Sequence, residues 1–423
     1  MDYKKIIPYM EFNSDIIPSG ALIPDAQEYD NNGADGLYIK DISAFSKNRE
    51  DLLVKEIKAV SAECELLLYV EQDYYRLEDV KKILYAGARK AVLSAGCKEA
   101  VSLIEEAASR FGGDRICARI ENGEEAVELM KNVHNLDGIE LVVEGDLPDA
   151  RDVLRKSGLP IILRKDIRAL KDYSKALSIG SVAGISSGYK PEGRSLDIME
   201  LKDFLSKSGI KVNRFESSMD FSAFKKNSDG LVPIIVQDYK TGQVLMLAYM
   251  NEEAYNATIT TGKMTYFSRS RQELWLKGET SGHFQYVKSL DIDCDCDTIL
   301  AKVHQIGPAC HTGSTSCFFR NLTKKDYDET NPLSVFEDVM SVILDRKEHP
   351  KEGSYTNYLF DKGVDKILKK VGEEATEIVI AAKNPDSDEL KYEISDFLYH
   401  VMVLMAEQGL SWKDITRELA DRR

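Results

Sequence analysis

Over residues 1 to about 213, short apolar runs of β character alternate with segments of helical period. The runs are Lys5–Phe12, Gly36–Asp41, Glu65–Val70, Lys90–Ser94, Arg115–Ile120, Gly138–Val143, Leu159–Leu163 and Ser181–Ile185. Between them lie amphipathic segments such as Arg76–Ala86, Glu99–Arg110, Glu124–Asn132, Pro148–Ser157 and Asp166–Ala176, and a last helix is expected over Asp197–Lys207. Parallel strands need long crossovers, so eight strand–helix alternations predict a parallel sheet. Eight units fit a (β/α)8 barrel. A doubly wound open sheet accommodates the same pattern.

Beyond residue 213 the pattern changes. Asn213–Asn227 is polar and mixed in charge and reads as a linker plus the entry to a second domain. Gly230–Asp238 reads as a strand, Lys240–Gln243 as a turn, and Val244–Tyr249 as the returning strand of a hairpin. Asn251 is placed to cap a short helix, with Glu252 and Glu253 near its positive end. Met264 to about Val303 is rich in β-type segments, and polar Asn321–Pro332 reads as a second linker. Helical periodicity then runs over Val335–Arg346, Leu359–Ala382, Glu389–Gln408 and Ser411–Asp421. The expected architecture is multidomain: an α/β barrel-like domain over 1–213, a mixed mainly-β domain over 214–325, and an all-α bundle over 333–423.

Composition narrows the chemistry. The net charge of −15 over 423 residues argues against nucleic-acid binding. No apolar run approaches the ~18 residues of a membrane span, and the first residues lack the apolar stretch of a secretory signal. Four of the seven cysteines lie between Cys294 and Cys317. A disulfide framework would spread them more evenly, so reduced thiols and a cytoplasmic setting are expected.

In Asp293-Cys294-Asp295-Cys296-Asp297, hard carboxylates alternate with soft thiols, and Cys310-His311 and Cys317 follow. In an extended segment the three Asp share one face and the two Cys the other. Carboxylates so crowded suit a hard cation such as Mg²⁺, and Cys294 with Cys310 and Cys317 suits Zn²⁺ with one position open. A closed four-cysteine site that adds Cys296 is the alternative. Zinc would supply hydroxide at neutral pH, and His311 would act as acid/base or orient the water. Upstream, Arg269, Arg271, Trp275, Lys277, Ser281 and His283 make a set for binding a phosphate-bearing nucleotide.

The helical segment carries a second cluster. Glu373, Glu374 and Glu377 fall within one helix turn, and Glu393 and Asp396 are spaced i, i+3. Folded antiparallel around Asn384–Asp388, these groups could converge on Mg²⁺. For a single pair, a solvated charged face would be the simpler reading.

Three resemblances then join these readings. Phe267-Ser268-Arg269-Ser270-Arg271, Lys277-Gly278, Ser281-Gly282-His283, Asp293-Cys294-Asp295, Asp297 and Gly307-Pro308-Ala309-Cys310-His311-Thr312-Gly313 through Cys317-Phe318 resemble phosphoribosyl-AMP cyclohydrolase. That resemblance implies hydrolytic opening of the adenine ring, by water attack at C6 and rupture of the N1–C6 bond. It also implies a homodimer in which Cys294 joins Cys310 and Cys317 of the other subunit on zinc, with Asp293, Asp295 and Asp297 on Mg²⁺. Ser354-Tyr355-Thr356, Lys369-Lys370-Val371-Gly372-Glu373-Glu374-Ala375, Glu377, Lys383-Asn384, Tyr392-Glu393, Asp396 and Tyr399-His400 resemble phosphoribosyl-ATP pyrophosphohydrolase. The implied Mg²⁺ motif is Glu374, Glu377, Glu393 and Asp396, with Lys369, Lys370 and Lys383 as phosphate contacts.

Residues 1–213 resemble the histidine-biosynthesis barrels, closest to the imidazole glycerol phosphate synthase cyclase, through scaffold positions such as Gly33-Ala34-Asp35-Gly36-Leu37 and Leu84-Tyr85-Ala86-Gly87-Ala88. The departures fall at the chemistry. Glu11 and Glu121 stand where that family has catalytic Asp, and Val70-Glu71-Gln72-Asp73 and Arg164-Lys165-Asp166-Ile167 replace its Gly-rich phosphate grips. Glu71 and Asp73 would repel phosphate. A bifunctional hydrolase with a non-catalytic barrel is expected; a trifunctional enzyme with an active barrel is the alternative.

Overall fold

The computed structural model describes residues 3–16, 18, 20–43, 49–133, 136–145, 157–190, 196–323, 334–384 and 387–420. The apolar runs of the first half become eight parallel strands: β1 (Lys5–Phe12), β2 (Leu37–Asp41), β3 (Leu68–Glu71), β4 (Lys90–Ser94), β5 (Ile116–Ile120), β6 (Glu140–Glu144), β7 (Ile161–Arg164) and β8 (Val182–Ser187). They pair in sequence order and close, with Lys5 opposite Gly184 and Pro8 opposite Ser187. The open-sheet alternative is therefore excluded.

Alternation along each strand builds two cores. Ile7, Tyr38, Tyr69, Val92, Cys117, Val142 and Ile162 fill the lumen. The opposite faces meet the surrounding helices: α1 (Ile23–Asn31), α2 (Arg49–Glu63), α3 (Leu77–Tyr85), α4 (Lys98–Phe111), α5 (Gly123–Asn132), α6 (Leu170–Leu177) and α7 (Ile198–Lys207). The helix expected over Pro148–Ser157 lies outside the described residues, apart from Ser157. α6 begins four residues later than its pattern indicated. Asp166 is a loop residue that accepts from the Gly188 N–H (2.9 Å) and pairs with Arg164 (3.1 Å).

The lumen also holds charge, and its two buried glutamates, Glu140 and Glu71, are each paired, since a lone buried ion is costly. Glu140 takes Lys5 (2.6 Å), Lys90 (3.2 Å) and the Tyr69 hydroxyl (3.1 Å). At the C-terminal strand ends, Glu71 takes Lys40 (3.0 Å), Arg119 (3.0 Å) and the Tyr38 hydroxyl (2.6 Å).

The expected linker is ordered. The Lys4 N–H donates to the Lys211 carbonyl (2.9 Å), and Arg214 pairs with Asp203 (2.8 Å). Phe221 and Phe224 then pack with Tyr255 at ring distances of 5.3–5.6 Å. Polarity averaged over Asn213–Asn227 hid the aromatic residues that start the next core.

That core carries β9 (Val232–Asp238), β10 (Val244–Met250), α8 (Glu252–Thr261), β11 (Thr265–Ser268), β12 (Glu273–Leu276), β13 (Gln285–Ile292) and β14 (Ile299–Gln305). The main sheet has the order β10-β9-β14-β13, with β14 parallel to β9, and β11 and β12 form a separate pair. The Asn251 side chain accepts from the Ala254 N–H (2.9 Å), capping α8 as expected.

The chain divides into two compact units, Met1–Phe319 and Arg320–Arg423. The second is helical: α9 (Val335–Glu348), α10 (Tyr355–Lys362), α11 (Val364–Ala381), α12 (Ser387–Gln408) and α13 (Trp412–Ala420). Leu359–Ala382, expected as one helix, is broken. Gly363 takes φ 78° and ψ −179°, a conformation open to glycine, and ends α10 where α11 begins.

Candidate active sites

The six residues from Asp293 to Thr298 link β13 to β14 as a hairpin turn, not an extended segment. Facial alternation therefore does not gather the carboxylates; the turn does. The Asp293 carboxylate accepts from the backbone N–H groups of Asp297 (2.9 Å) and Thr298 (3.2 Å), which curls the loop around it. Desolvation raises the Asp293 carboxyl, but those two N–H groups outweigh it and hold the group below its usual range. Cys296 takes a left-handed φ of 63°, which tightens the turn. The result is three exposed carboxylates with oxygen atoms within 4.8 Å of one another. Lys225 approaches Asp295 at 3.5 Å.

Cys310 and Cys317 lie beyond the other end of β14, which spans roughly 20 Å at the usual rise per residue. The Thr312 hydroxyl donates to the Cys310 sulfur (3.1 Å), and His311 Nδ1 lies 4.0 Å from it. The Thr312 hydrogen bond lowers the Cys310 thiol, while burial and the Cys310 charge raise Cys317. Among the described residues, no group of three or more potential ligands within 4.8 Å contains a cysteine. Cys294 thus does not join Cys310 and Cys317 within one chain, and the closed four-cysteine arrangement does not form there.

The expected substrate set separates into three environments. Arg269 is exposed and stacks on the Tyr249 ring at 3.9 Å, and Arg271 pairs with Glu273 (3.3 Å). Lys277 is buried instead, beside the two thiols; burial lowers its ammonium against the pull of Cys317 and Cys310. Trp275 packs on Tyr266 at a ring distance of 5.5 Å, on the margin of the core. Ser281 accepts from the His283 N–H (3.2 Å). The His283 ring lies so close to Gly307 that a Cβ there would come within 2.7 Å of it, and the left-handed φ of 61° at 307 also favours glycine.

In the helical unit, α11 and α12 pack side by side and bring Glu374, Glu377 and Glu393 together, with oxygens within 4.8 Å. Asp396 is not in that group; it lies one turn further along α12 and is exposed. Lys370 pairs with Glu373 (3.1 Å) and Glu374 (3.3 Å), whereas Lys369 and Lys383 are exposed. Desolvation and the charges of Glu374 and Glu393 push the Glu377 carboxyl up.

Two neighbours of this cluster, Tyr355 and His400, belong to the motifs quoted above but carry no role in the sequence reading. Buried His400 shares a hydrogen bond with the Tyr355 hydroxyl (3.0 Å) through Nε2, and its Nδ1 donates to the Asp396 carbonyl (2.8 Å). The same Nδ1 lies 3.7 Å from Glu374. His400 therefore pins α10 to α12 directly behind the carboxylates. The available signal was its i+4 spacing from Asp396 on an apolar helix.

Each unit thus gathers one cluster of carboxylates, a donor set that hydrolytic chemistry can use. Sequence comparison agrees: the phosphoribosyl-AMP cyclohydrolase family matches residues 246–319, the phosphoribosyl-ATP pyrophosphohydrolase family 336–423, and the histidine biosynthesis protein family 11–178. The histidine biosynthesis bifunctional protein HisIE of Thermoanaerobacter pseudethanolicus is 53% identical over 207 residues, covering 46% of this chain and 96% of that protein. The same protein of Bacillus subtilis is 51% identical over 196 residues (46% and 93%), and that of Thermus thermophilus 46% over 204 residues (48% and 94%). The chain belongs to the bifunctional HisIE family of histidine biosynthesis, here joined to a barrel, and is both a phosphoribosyl-AMP cyclohydrolase and a phosphoribosyl-ATP pyrophosphohydrolase.

Proposed function

We propose that the two reactions run in sequence and depend on metals: the helical unit releases pyrophosphate from phosphoribosyl-ATP, and the central domain opens the adenine ring of the phosphoribosyl-AMP formed. The observation that carries this reading is the convergence of Glu374, Glu377 and Glu393 from two helices. Such a set repels itself unless a cation sits among the oxygens, and all-oxygen donors fit Mg²⁺. Asp396, one turn beyond, would supply the fourth carboxylate to a bound cation. A metal held there would neutralise developing charge on the phosphates and activate water. Lys370 orients Glu374 and adds positive charge beside the cluster. Exposed Lys369 and Lys383 are placed to meet the phosphates.

In the central domain, Asp293, Asp295 and Asp297 suit Mg²⁺, and Cys310 with Cys317 suits Zn²⁺. Cys294, exposed at the hairpin tip, supplies the third thiolate to a second copy of the chain. Its separation from Cys310 within one chain supports a homodimer, as do the exposed Val379, Ile380 and Tyr392 of the helical unit. Zinc would lower the pKa of a water that adds at C6. His311, beside Cys310, handles the proton, and Arg269, Arg271, Trp275, Ser281 and His283 bind the nucleotide. Lys277, beside the thiols, stabilises their charge as well as facing substrate.

The barrel is proposed to be non-catalytic. Glu71 stands where a phosphate would be gripped and is tied to Lys40, Arg119 and Tyr38. Glu11 accepts from Tyr9 (2.9 Å), and Glu121 pairs with Arg119. A cytoplasmic location is supported by the free thiols of Cys294, Cys296, Cys310 and Cys317. Among the described residues, no helix is long and apolar enough to cross a membrane. The deciding experiment is an assay of the intact chain on phosphoribosyl-ATP, with metal content determined, before and after chelation. Pyrophosphate release that survives complete Mg²⁺ removal, or ring opening that survives zinc removal, overturns the reading.

A further inference from the structure

Glu65, just before β3, directs its two carboxylate oxygens to two strands of the central sheet. The Tyr239 hydroxyl, just past β9, donates to one (2.7 Å), and Lys288 of β13 pairs with the other (3.1 Å). The intervening strand is held as well: His304 of β14 bonds the Asn31 side chain at the end of α1 (2.9 Å). Tyr239 is itself sandwiched, with the Lys288 ammonium 5.0 Å from its ring centre and the His304 ring 6.0 Å away. The Asp30 carboxylate fixes Glu65 by accepting its backbone N–H (3.0 Å). Met199 of α7 adds apolar contact, lying against both Gly33 and Gly262.

The barrel elements involved, the end of α1 and the entry to β3, lie where its strands begin. That is the face barrels use for stability, opposite the loops that carry chemistry. Lys288 and Asp293 are five residues apart along β13, so the aspartate turn stands roughly 17 Å from the contact and stays open. β14, in contrast, runs from His304 straight into the Cys310 loop.

We propose that this barrel rim is a docking platform for the cyclohydrolase sheet, with Glu65 as its charge-selective centre, and that it holds the strand ends from which the Cys310 loop departs. The barrel then serves the second domain whether or not it has chemistry of its own.

The test uses the full chain carrying Trp412→Phe, so that Trp275 reports the cyclohydrolase domain alone. Cys117, buried in the lumen with its thiol pushed up to about 12, reports barrel opening by pulsed thiol labelling. Glu65→Lys is expected to lower the Trp275 unfolding midpoint by about 3 °C or more and to separate it from Cys117 exposure. Cyclohydrolase activity falls, and pyrophosphate release is unchanged. Lys288→Glu added to Glu65→Lys restores both midpoint and activity. An unchanged Trp275 midpoint, or a failure of the swap to restore it, overturns the proposal. If Glu65→Lys does not accumulate, Glu65→Gln, which removes the ion pair alone, is read in the same way.

Discussion

The Glu377 carboxyl is held above its ordinary pKa by desolvation and by Glu374 and Glu393, which sets a pH dependence. A carboxyl whose folded pKa is raised binds its proton more tightly when folded. It therefore favours folding below its unfolded pKa and opposes it as pH rises through the folded value. Without metal, Glu377→Gln should stabilise the helical unit at pH 7, and this gain should shrink toward about pH 5; thermal melts of wild type and variant across that range check the sign. Mg²⁺ should stabilise the wild type and not the variant. Loss of a metal ligand gives up several kcal/mol of charge stabilisation, so pyrophosphate release by Glu377→Gln should fall about 100-fold or more. His400 acts through its neighbours. His400→Ala removes its hydrogen bond to the partly exposed Tyr355 hydroxyl, at a cost of about 0.5–1.5 kcal/mol. It should also raise the Mg²⁺ concentration needed for half activity about 10–100-fold, which titration of activity against Mg²⁺ measures. A purely structural role would lower the melting temperature and leave that midpoint in place.

At the scale of elements, the hairpin turn and the α10–α11 break show where local pattern is overridden. Alternating Asp and Cys read as a strand because period-2 spacing is what strands show. The register from Tyr286–His304 to Ile292–Ile299 instead makes Asp293–Thr298 the connection, and backbone N–H groups bonded to Asp293 close it. The break at Gly363 was masked by apolar spacing that continues through it. A side chain there would strain the backbone even though space is open. Gly363→Ala should therefore destabilise the helical unit by about 1–3 kcal/mol, measured by urea unfolding followed at Trp412 in a Trp275→Phe chain. The barrel strands, by contrast, were legible to within about three residues at each end. Each is an apolar run buried on both faces, and no local signal competes with it.

At the scale of the whole molecule, separation of Cys294 from Cys310 and Cys317 gives the strongest prediction. If zinc is held between two chains, Cys294→Ser and Cys310→Ser are each inactive in ring opening, but a mixed dimer contains one intact site. Mixing equal amounts under subunit exchange should recover about a quarter of wild-type cyclohydrolase activity, since half the dimers are mixed and each has one of two sites. No recovery, with exchange verified by mass spectrometry, would place all zinc ligands in one chain. Pyrophosphate release should stay at its wild-type rate in both single variants.

Sequence by itself determined the three-part organisation, the positions of the eight first-half strands and the residues from which the carboxylate clusters are drawn, because periodicity and ligand chemistry are local properties of a chain. Tertiary structure alone decided which of those groups meet. It curled the aspartates together, kept Cys294 away from Cys310, buried Lys277 beside the thiols and set His400 behind Glu374. It also seated the central sheet on the barrel through Glu65, a residue that in sequence is one more surface carboxylate. Such pairings join positions as far apart as Asn31 and His304, and nothing in the residues near either one specifies the other.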